Sequence, residues 1–447
     1  MTDIVLVLEI HQPRRLNRMF PYERVKRIAA GESLIDRYFD DKLNREIFGR
    51  VSKKCYNPTF DILSEIIKGN SSSDKPFKLS LGMSGMFLHQ AALYEPQLVE
   101  KLKSFITSGS VELLGGTYYH SLSSLSSLGL NEFAAQVKEH KELIKQVFGY
   151  EVKVFENTEL IYNNGISKAA ESLGFQGVLT EGVPKLLEGR SPTYVYSTVG
   201  AENIKLLLRH CILSDDIGFR FSLKNWGEYP LTADKYAAWL SRTGGDVILI
   251  SLDIETFGEH HWAETGIFDL LKNIPKEVAK AGNLNWSTPS EVVASNPSSG
   301  SINVPETATI SWADAEKDCT AWLDNSMQRI TFDRLYRLEP IVKEINDAGV
   351  TKLWRFLQQS DHFHYMSTKT VTPEATYPYF SPFSSPAEAF AAFDSILSDF
   401  EGKIGTLYYR IKKPKPPTTP APQPQTVQQK PSAQPRYTPS SYGTYQK

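Results

Sequence analysis

DVILISLD, residues 246–253, is apolar almost without a break and then ends on an aspartate. A strand that alternated apolar and polar side chains would keep one face in water. A run like this one is buried on both faces, as parallel strands under helices are. The same texture recurs in IVLVLEI (4–10), FKLSLGM (77–83), SVELLGG (110–116), VKVFENTE (152–159), GVLTEG (177–182) and IKLLLR (204–209). Amphipathic stretches lie between many of them, among them NEFAAQVKEHKELIKQVFG (131–149) and NNGISKAAESLG (163–174). Strand–helix alternation predicts an α/β fold, with βα units in a parallel sheet or barrel.

The texture changes downstream. SMQRITFDRLYRLEPIVKEIND (326–347) and PAEAFAAFDSILSDFEGKIGTLYYRIK (386–412) space their apolar residues by three and four, which predicts helices. The reading is a barrel-type unit over 1–305, a helical region over 306–411, and a tail over 412–447. The tail holds nine of the 26 prolines and no acidic residue, and is expected to be disordered. Six of the 49 Lys and Arg lie in it, so residues 1–411 carry 43 basic against 51 acidic side chains, a net of −8. Such a cationic tail is read as solvated, with contact to an unknown protein or anionic surface as the alternative.

Composition narrows the function classes. The 447 residues are 41% apolar and 22% charged, with a formal net charge of −2, so no basic footprint for nucleic acid is present. No apolar run approaches the roughly 18–20 residues of a membrane span. The opening MTDIVLVLEIHQP lacks the basic start and cleavage site of a signal peptide. Three widely spaced cysteines, Cys55, Cys211 and Cys319, suggest neither a disulfide framework nor a metal motif. A soluble cytoplasmic protein is expected. Aromatic residues reach 11%, mostly core material, though aromatic faces also stack on sugars.

Polar residues gather directly after the predicted strands. His11 follows the first. Tyr118, Tyr119 and His120 follow SVELLGG. Glu159 ends VKVFENTE, Glu181 ends GVLTEG, and Asp215 and Asp216 follow IKLLLR. Asp253 ends DVILISLD, ahead of Glu255, His260, His261 and Trp262. In a βα barrel these strand ends converge on one face, where active sites form. Two carboxylates facing each other across such a pocket suit glycosyl transfer: one attacks the anomeric carbon and one protonates the leaving oxygen. An isolated carboxylate is more often a surface or capping group, but these terminate apolar strands. The residues alone nominate Glu159, Glu181, Asp215, Asp216, Asp253 and Glu255 about equally. A zinc site built from His11, His120, His260, His261, Asp215 and Asp216 ranks lower, because adjacent histidines are poorly spaced as ligands. His362 and His364 read as packed residues of the helical region.

At these positions the chain resembles glycoside hydrolase family 57, α-amylase-type members. HQPRRL, VELLGGTYYHSL, VFENTELIY, LSDDIGFRFS, LDIETFGEHHW, NWSTPSEVV, ISWADAEKDCTAWLDN, LQQSDHFHYM and YFSPFSSPAEAF follow in order over nearly all of residues 1–400. The resemblance implies an incomplete (β/α)7 barrel with a C-terminal helical region. It implies α-linked glucan as substrate, cleaved at α-1,4 bonds with retention, and no metal or organic cofactor. It places the nucleophile on Glu159 and the acid/base on Asp253. His11 and His120 are implied to contact the sugar, and Asp215, Asp216 and Arg220 to lie on the substrate side. Glu255 would share the face of Asp253 if its strand were regular. Trp262 and Trp312 are candidate stacking faces, Trp312 being as readily a core residue. One departure stands out: Gly115 and Gly116 occupy a place where amylase-type members often carry an acid.

The expected mechanism needs the two carboxyls about 5–5.5 Å apart and an Asp253 that keeps its proton near neutrality. A 4-α-glucanotransferase on the same scaffold differs only in whether sugar or water accepts the glycosyl group. A glucan-binding protein without catalysis and, more distantly, a metal-dependent deacetylase complete the alternatives.

Overall fold

Side chains on successive residues of a strand point to opposite faces, so in a closed barrel every second residue points inward. The computed structural model describes residues 1–21, 33–70, 73–369, 381–413 and 432–433. Its strands are β1 (Thr2–Ile10), β2 (Leu79–Met83), β3 (Val111–Leu113), β4 (Val154–Glu156), β5 (Gly177–Glu181), β6 (Tyr196–Thr198), β7 (Ala201–Arg209), β8 (Val247–Asp253), β9 (Leu284–Trp286) and β10 (Ser301–Ile302). Parallel pairing runs β3-β2-β1-β8-β7-β5-β4. A parallel bridge between Gly115 and Phe155 joins β3 to β4 and closes the ring. This is the incomplete (β/α)7 barrel.

Its incompleteness has two causes. β8 lies along one edge of β1, while β2 pairs with only Val7–Ile10 of the other edge and β9 takes Thr2–Ile4. β7 touches β8 at Arg209 alone, because β6 runs antiparallel beside its first half and β10 extends β6 outward. β6, β9 and β10 were not expected from the sequence. They are two or three residues long and, unlike the equally short β3 and β4, lie outside the apolar runs that mark the other strands.

Strand parity separates two apolar cores. Val5, Val7, Val154, Leu179, Leu207, Val247 and Leu249 fill the inside of the ring. Ile4, Leu6, Leu8, Leu206, Leu208, Ile248, Ile250 and Leu252 face the surrounding helices. The inward residues one step further along are Glu9, Glu156, Glu181, Arg209, Ser251 and Asp253. The interior therefore changes from aliphatic to ionisable at the C-terminal mouth.

Gly115 and Gly116 belong to the seam. A Cβ on Gly115 would lie 2.4 Å from the Phe175 ring, and one on Gly116 would lie 3.3 Å from the Glu156 carbonyl oxygen. The Phe175 ring packed on the seam thus leaves no room for an acidic side chain at Gly115.

The helical region follows. The expected helix over 326–347 is two, Ser326–Arg337 and Glu339–Ile345, since Pro340 cannot donate to a continuing helix. Thr320–Leu323, Ala348–Phe356, Ser360–His364 and the 27-residue Pro386–Lys412 complete it among the described residues. Buried Glu132, on the barrel helix Asn131–Phe148, accepts from Arg355 Nε at 2.5 Å and pairs with Lys343. Arg355 also reaches Glu139 at 2.8 Å. Lys412, read as the start of the tail, ends the last helix; the expected disorder beyond it falls almost wholly outside the described residues. Among the described residues, no helix is long and apolar enough to cross a membrane.

Candidate active site

Glu159 does not end a strand. β4 stops at Glu156, and Glu159 sits in a 3₁₀ turn with φ 56°, ψ 27°, a left-handed conformation rare for a side chain with a Cβ. Several bonds hold it there. Asn157 Nδ2 donates to the Ile161 carbonyl at 2.8 Å, and the Thr158 and Thr117 hydroxyls meet at 2.7 Å. Tyr162 and Ile310 form an antiparallel bridge, and the Trp312 N–H donates to the Glu159 carbonyl at 3.2 Å. The carboxylate is gripped at both oxygens. His120 Nε2 lies 3.3 Å from Oε1, and Trp312 Nε1 donates to Oε2 at 2.7 Å. Burial alone would raise the Glu159 pKa. The His120 hydrogen bond and charge, with the Trp312 N–H, outweigh it and hold the carboxyl below its ordinary range.

Asp253 is the opposite case. It closes β8 opposite Glu9 of β1. Burial first, then the charge of Glu159, push its pKa up to about 7. Glu255, beyond it in a 3₁₀ turn, accepts from Tyr56 Oη at 2.5 Å and from Gln12 Nε2 at 3.5 Å. Tyr56 comes from a π-helical turn, Ser52–Tyr56. Burial and the Asp253 charge raise Glu255 to about 8.

The histidines stack. The His11 and His120 rings lie 4.0 Å apart with planes 19° from parallel. His11 Nε2 is 2.9 Å from Asp361 Oδ2, and Nδ1 is 2.7 Å from Ser84 Oγ. Burial, then His120, lowers His11 to about 4, so the neutral ring donates Nε2–H to Asp361 and accepts from Ser84. Asp361 is held below the ordinary carboxylate range; burial opposes this, but the charge His11 acquires in acid and its hydrogen bond prevail. His120 Nδ1 is 3.4 Å from Glu9 Oε1.

The remaining expected residues spread outward. Asp215 pairs with Arg209 Nη2 at 2.6 Å, and Arg209 Nη1 reaches Glu181 at 2.8 Å. The Arg209 guanidinium lies 5.5 Å from the Trp312 ring. Asp216 and Arg220 bind each other at 2.7 Å. Trp262 is 57% exposed, with the Lys54 ammonium 5.7 Å from its ring. His261 bridges Ser222 Oγ and the Gly218 carbonyl, at 2.6 and 3.0 Å. Glu291 caps its own helix at Thr288 and pairs with Lys78. Among the described residues, no group of three or more His, Cys, Asp or Glu side chains is arranged to hold a metal ion.

Sequence reading missed Glu9, Glu156, Arg209 and Asp361. Glu9 and Glu156 share the inward parity of Asp253, and that was the available signal. Burial raises both, Glu156 to about 8 with help from Asp253, and Glu9 well above its ordinary range with help from Glu156. Gly82 leaves the space Glu156 fills, since a Cβ there would fall 1.9 Å from Glu156 Oε2.

Two half-buried carboxyls at the mouth of a seven-stranded barrel are thus shifted in opposite directions, Glu159 down and Asp253 up to about 7. The family model described as glycosyl hydrolase family 57 matches residues 5–305. The chain belongs to glycosyl hydrolase family 57. A Methanocaldococcus jannaschii protein named "Putative alpha-amylase" is 43% identical over 412 residues, covering 90% of this chain and 85% of that protein. The family-57 branching enzyme of Thermococcus kodakaraensis superposes with a TM-score of 0.65 at 14% identity, over 93% of this chain and 92% of that one. The 4-α-glucanotransferase of Thermococcus litoralis gives 0.57 at 16% identity, over 81% of this chain and 56% of that longer one. At such identities the two likenesses are of fold.

Proposed function

We propose that this family-57 enzyme hydrolyses α-1,4-glucosidic bonds of starch- or glycogen-type glucans with retention. Glu159 is the nucleophile and Asp253 the acid/base. The observation that carries the reading is the opposed setting of these two half-buried carboxyls: His120 and the Trp312 indole grip the two oxygens of Glu159, whereas Asp253 faces the Glu159 charge. Protonated Asp253 donates to the glycosidic oxygen as Glu159 attacks the anomeric carbon. The C–O bond to the leaving sugar breaks and a glycosyl ester forms on Glu159. Asp253, now ionised, takes a proton from water, whose oxygen displaces Glu159 and restores the α configuration. His11 and His120 orient hydroxyls of the bound sugar. Asp215, Asp216, Arg220, Glu255 and Trp262 extend the binding surface. For Trp312 the hydrogen bond to Glu159 supports a role in holding the nucleophile rather than in stacking. Residues 1–305 carry the catalytic unit, and 306–411 supply Trp312 and Asp361. Three free thiols suit a cytoplasmic protein.

Azide trapping tests both roles. The nucleophile attacks from the face opposite the leaving group, so azide replacing it in Glu159→Ala yields a β-glycosyl azide. In Asp253→Ala, with an activated aryl glycoside, azide attacks the glycosyl-enzyme and yields the α-anomer. Exchanged anomers, or full activity of either variant without azide, overturn the assignment. In the native enzyme, new reducing ends from maltooligosaccharides support hydrolysis, and elongated products would replace water by a sugar acceptor.

A further inference from the structure

The Trp312 indole reaches the nucleophile from a loop outside the barrel wall, and something must hold that loop. Ser311–Asp318 turns sharply enough to put Asp314 and Lys317 at φ 53° and 55°. Side chains rarely accept that conformation unless their surroundings enforce it. The loop closes on itself: the Ser311 N–H donates to the Lys317 carbonyl at 3.2 Å, and Ser311 Oγ donates to the Asp318 carbonyl at 2.6 Å. Lys317 Nζ then donates to the Trp312 carbonyl at 2.8 Å and lies 3.4 Å from Glu181 Oε2. Glu181 is a fixed point. Its side chain is fully buried, it terminates β5, and the same oxygen already holds Arg209. Arg209 is itself anchored, by Asp215 and by the Ser251 carbonyl, while its guanidinium lies against the Trp312 ring.

We infer that Lys317 is a positioning residue for the nucleophile, acting through Trp312. Its ammonium ties the Trp312 carbonyl to the Glu181–Arg209 pair at the barrel mouth, so that the indole N–H stays aimed at Glu159. The inference rests on Glu159 being the nucleophile. Glu159 also faces His11, His120, Asp253 and Glu9 from the barrel, and Asp361 and His364 from the helical region; Lys317 makes its hydrogen bonds to Trp312 and Glu181 instead. Removing Lys317 should therefore loosen one of the two donors on Glu159 and leave the His120 donor in place. With a donor loosened, the carboxyl binds its proton more tightly, and the acidic limb of kcat/KM, which reports the nucleophile in the free enzyme, moves to higher pH.

The test compares pH profiles on a maltooligosaccharide for Lys317→Met, Trp312→Phe, their double variant and Lys317→Arg. Lys317→Met is expected to lower kcat about tenfold and raise the acidic limb. Trp312→Phe, which lacks the N–H, should shift the limb the same way. The double variant should match the worse single one, because both remove one interaction. Lys317→Arg should restore the limb. An unmoved acidic limb in Lys317→Met, or additive losses in the double variant, overturns the inference. If Met at position 317 prevents folding, Lys317→Gln serves instead, since it also removes the charge that binds Glu181. The underlying reading fails separately: Glu159→Ala that keeps full turnover defeats the nucleophile assignment, whereas inactive Glu159→Ala with an unmoved Lys317→Met limb defeats the role of Lys317 alone.

Discussion

The turn after β4 and the end of β8 each bring a half-buried carboxyl to the same charged cluster, and they treat it in opposite ways. At the turn, two N–H donors meet the two oxygens of Glu159. At the strand end, Asp253 looks onto the charge of Glu159, among raised acids at Glu9, Glu156 and Glu255. Burial is common to both and penalises ionisation in both. What separates them is the neighbours: donors overcome the penalty, carboxyls add to it. The difference teaches that neighbours alone can set two similar, half-buried side chains to opposite proton affinities.

The contrast can be broken most severely by removing one of its charges. Glu159→Gln should lower kcat by more than about 10⁴-fold. The same variant should drop the Asp253 pKa below its native value of about 7, since the Glu159 charge is one cause of the rise. Titration of the Asp253 carboxyl by infrared or NMR spectroscopy measures this, and an unchanged value would mean that the two groups do not sense each other. Asp361→Asn keeps the shape at His11 and removes the anion. It should reduce kcat about 10- to 100-fold, with little change in folding. Turnover equal to the native rate would show that the His11 ring holds its place unaided. Gly115→Ala should act least. Its Cβ would press on Phe175 at the seam that carries the Glu159 turn. A loss of about 1–3 kcal/mol of stability, read as a fall in Tm, is expected. The alkaline limb of its pH profile, set by Asp253 across the barrel, should not move.

Much of the barrel was legible because two-sided burial leaves apolar runs, and each of the seven expected strands is present. The site was legible only where chemistry followed a run. Glu159 was found although its strand ends three residues earlier, because hydrophobicity does not encode a left-handed turn. Glu9 and Glu156 were overlooked for the converse reason. They sit inside apolar runs, where a buried acid is costly and a pattern reader passes over it. Asp361 could not be placed by local reading, since its partner His11 lies 350 residues away. Trp312 was seen as a flat apolar face, while its contribution to the site is one N–H.

That 350-residue span bears on synthesis. A ribosome delivers His11 350 residues ahead of Asp361, which emerges only after the whole barrel has been made. Until then, Nε2 of His11 has no carboxylate to meet, and until residue 312 emerges Glu159 lacks its indole donor. The nascent barrel can hold both Glu159 and Asp253 before it holds the groups that set them. Competence to cut glucan is thereby deferred until the helical region has been made.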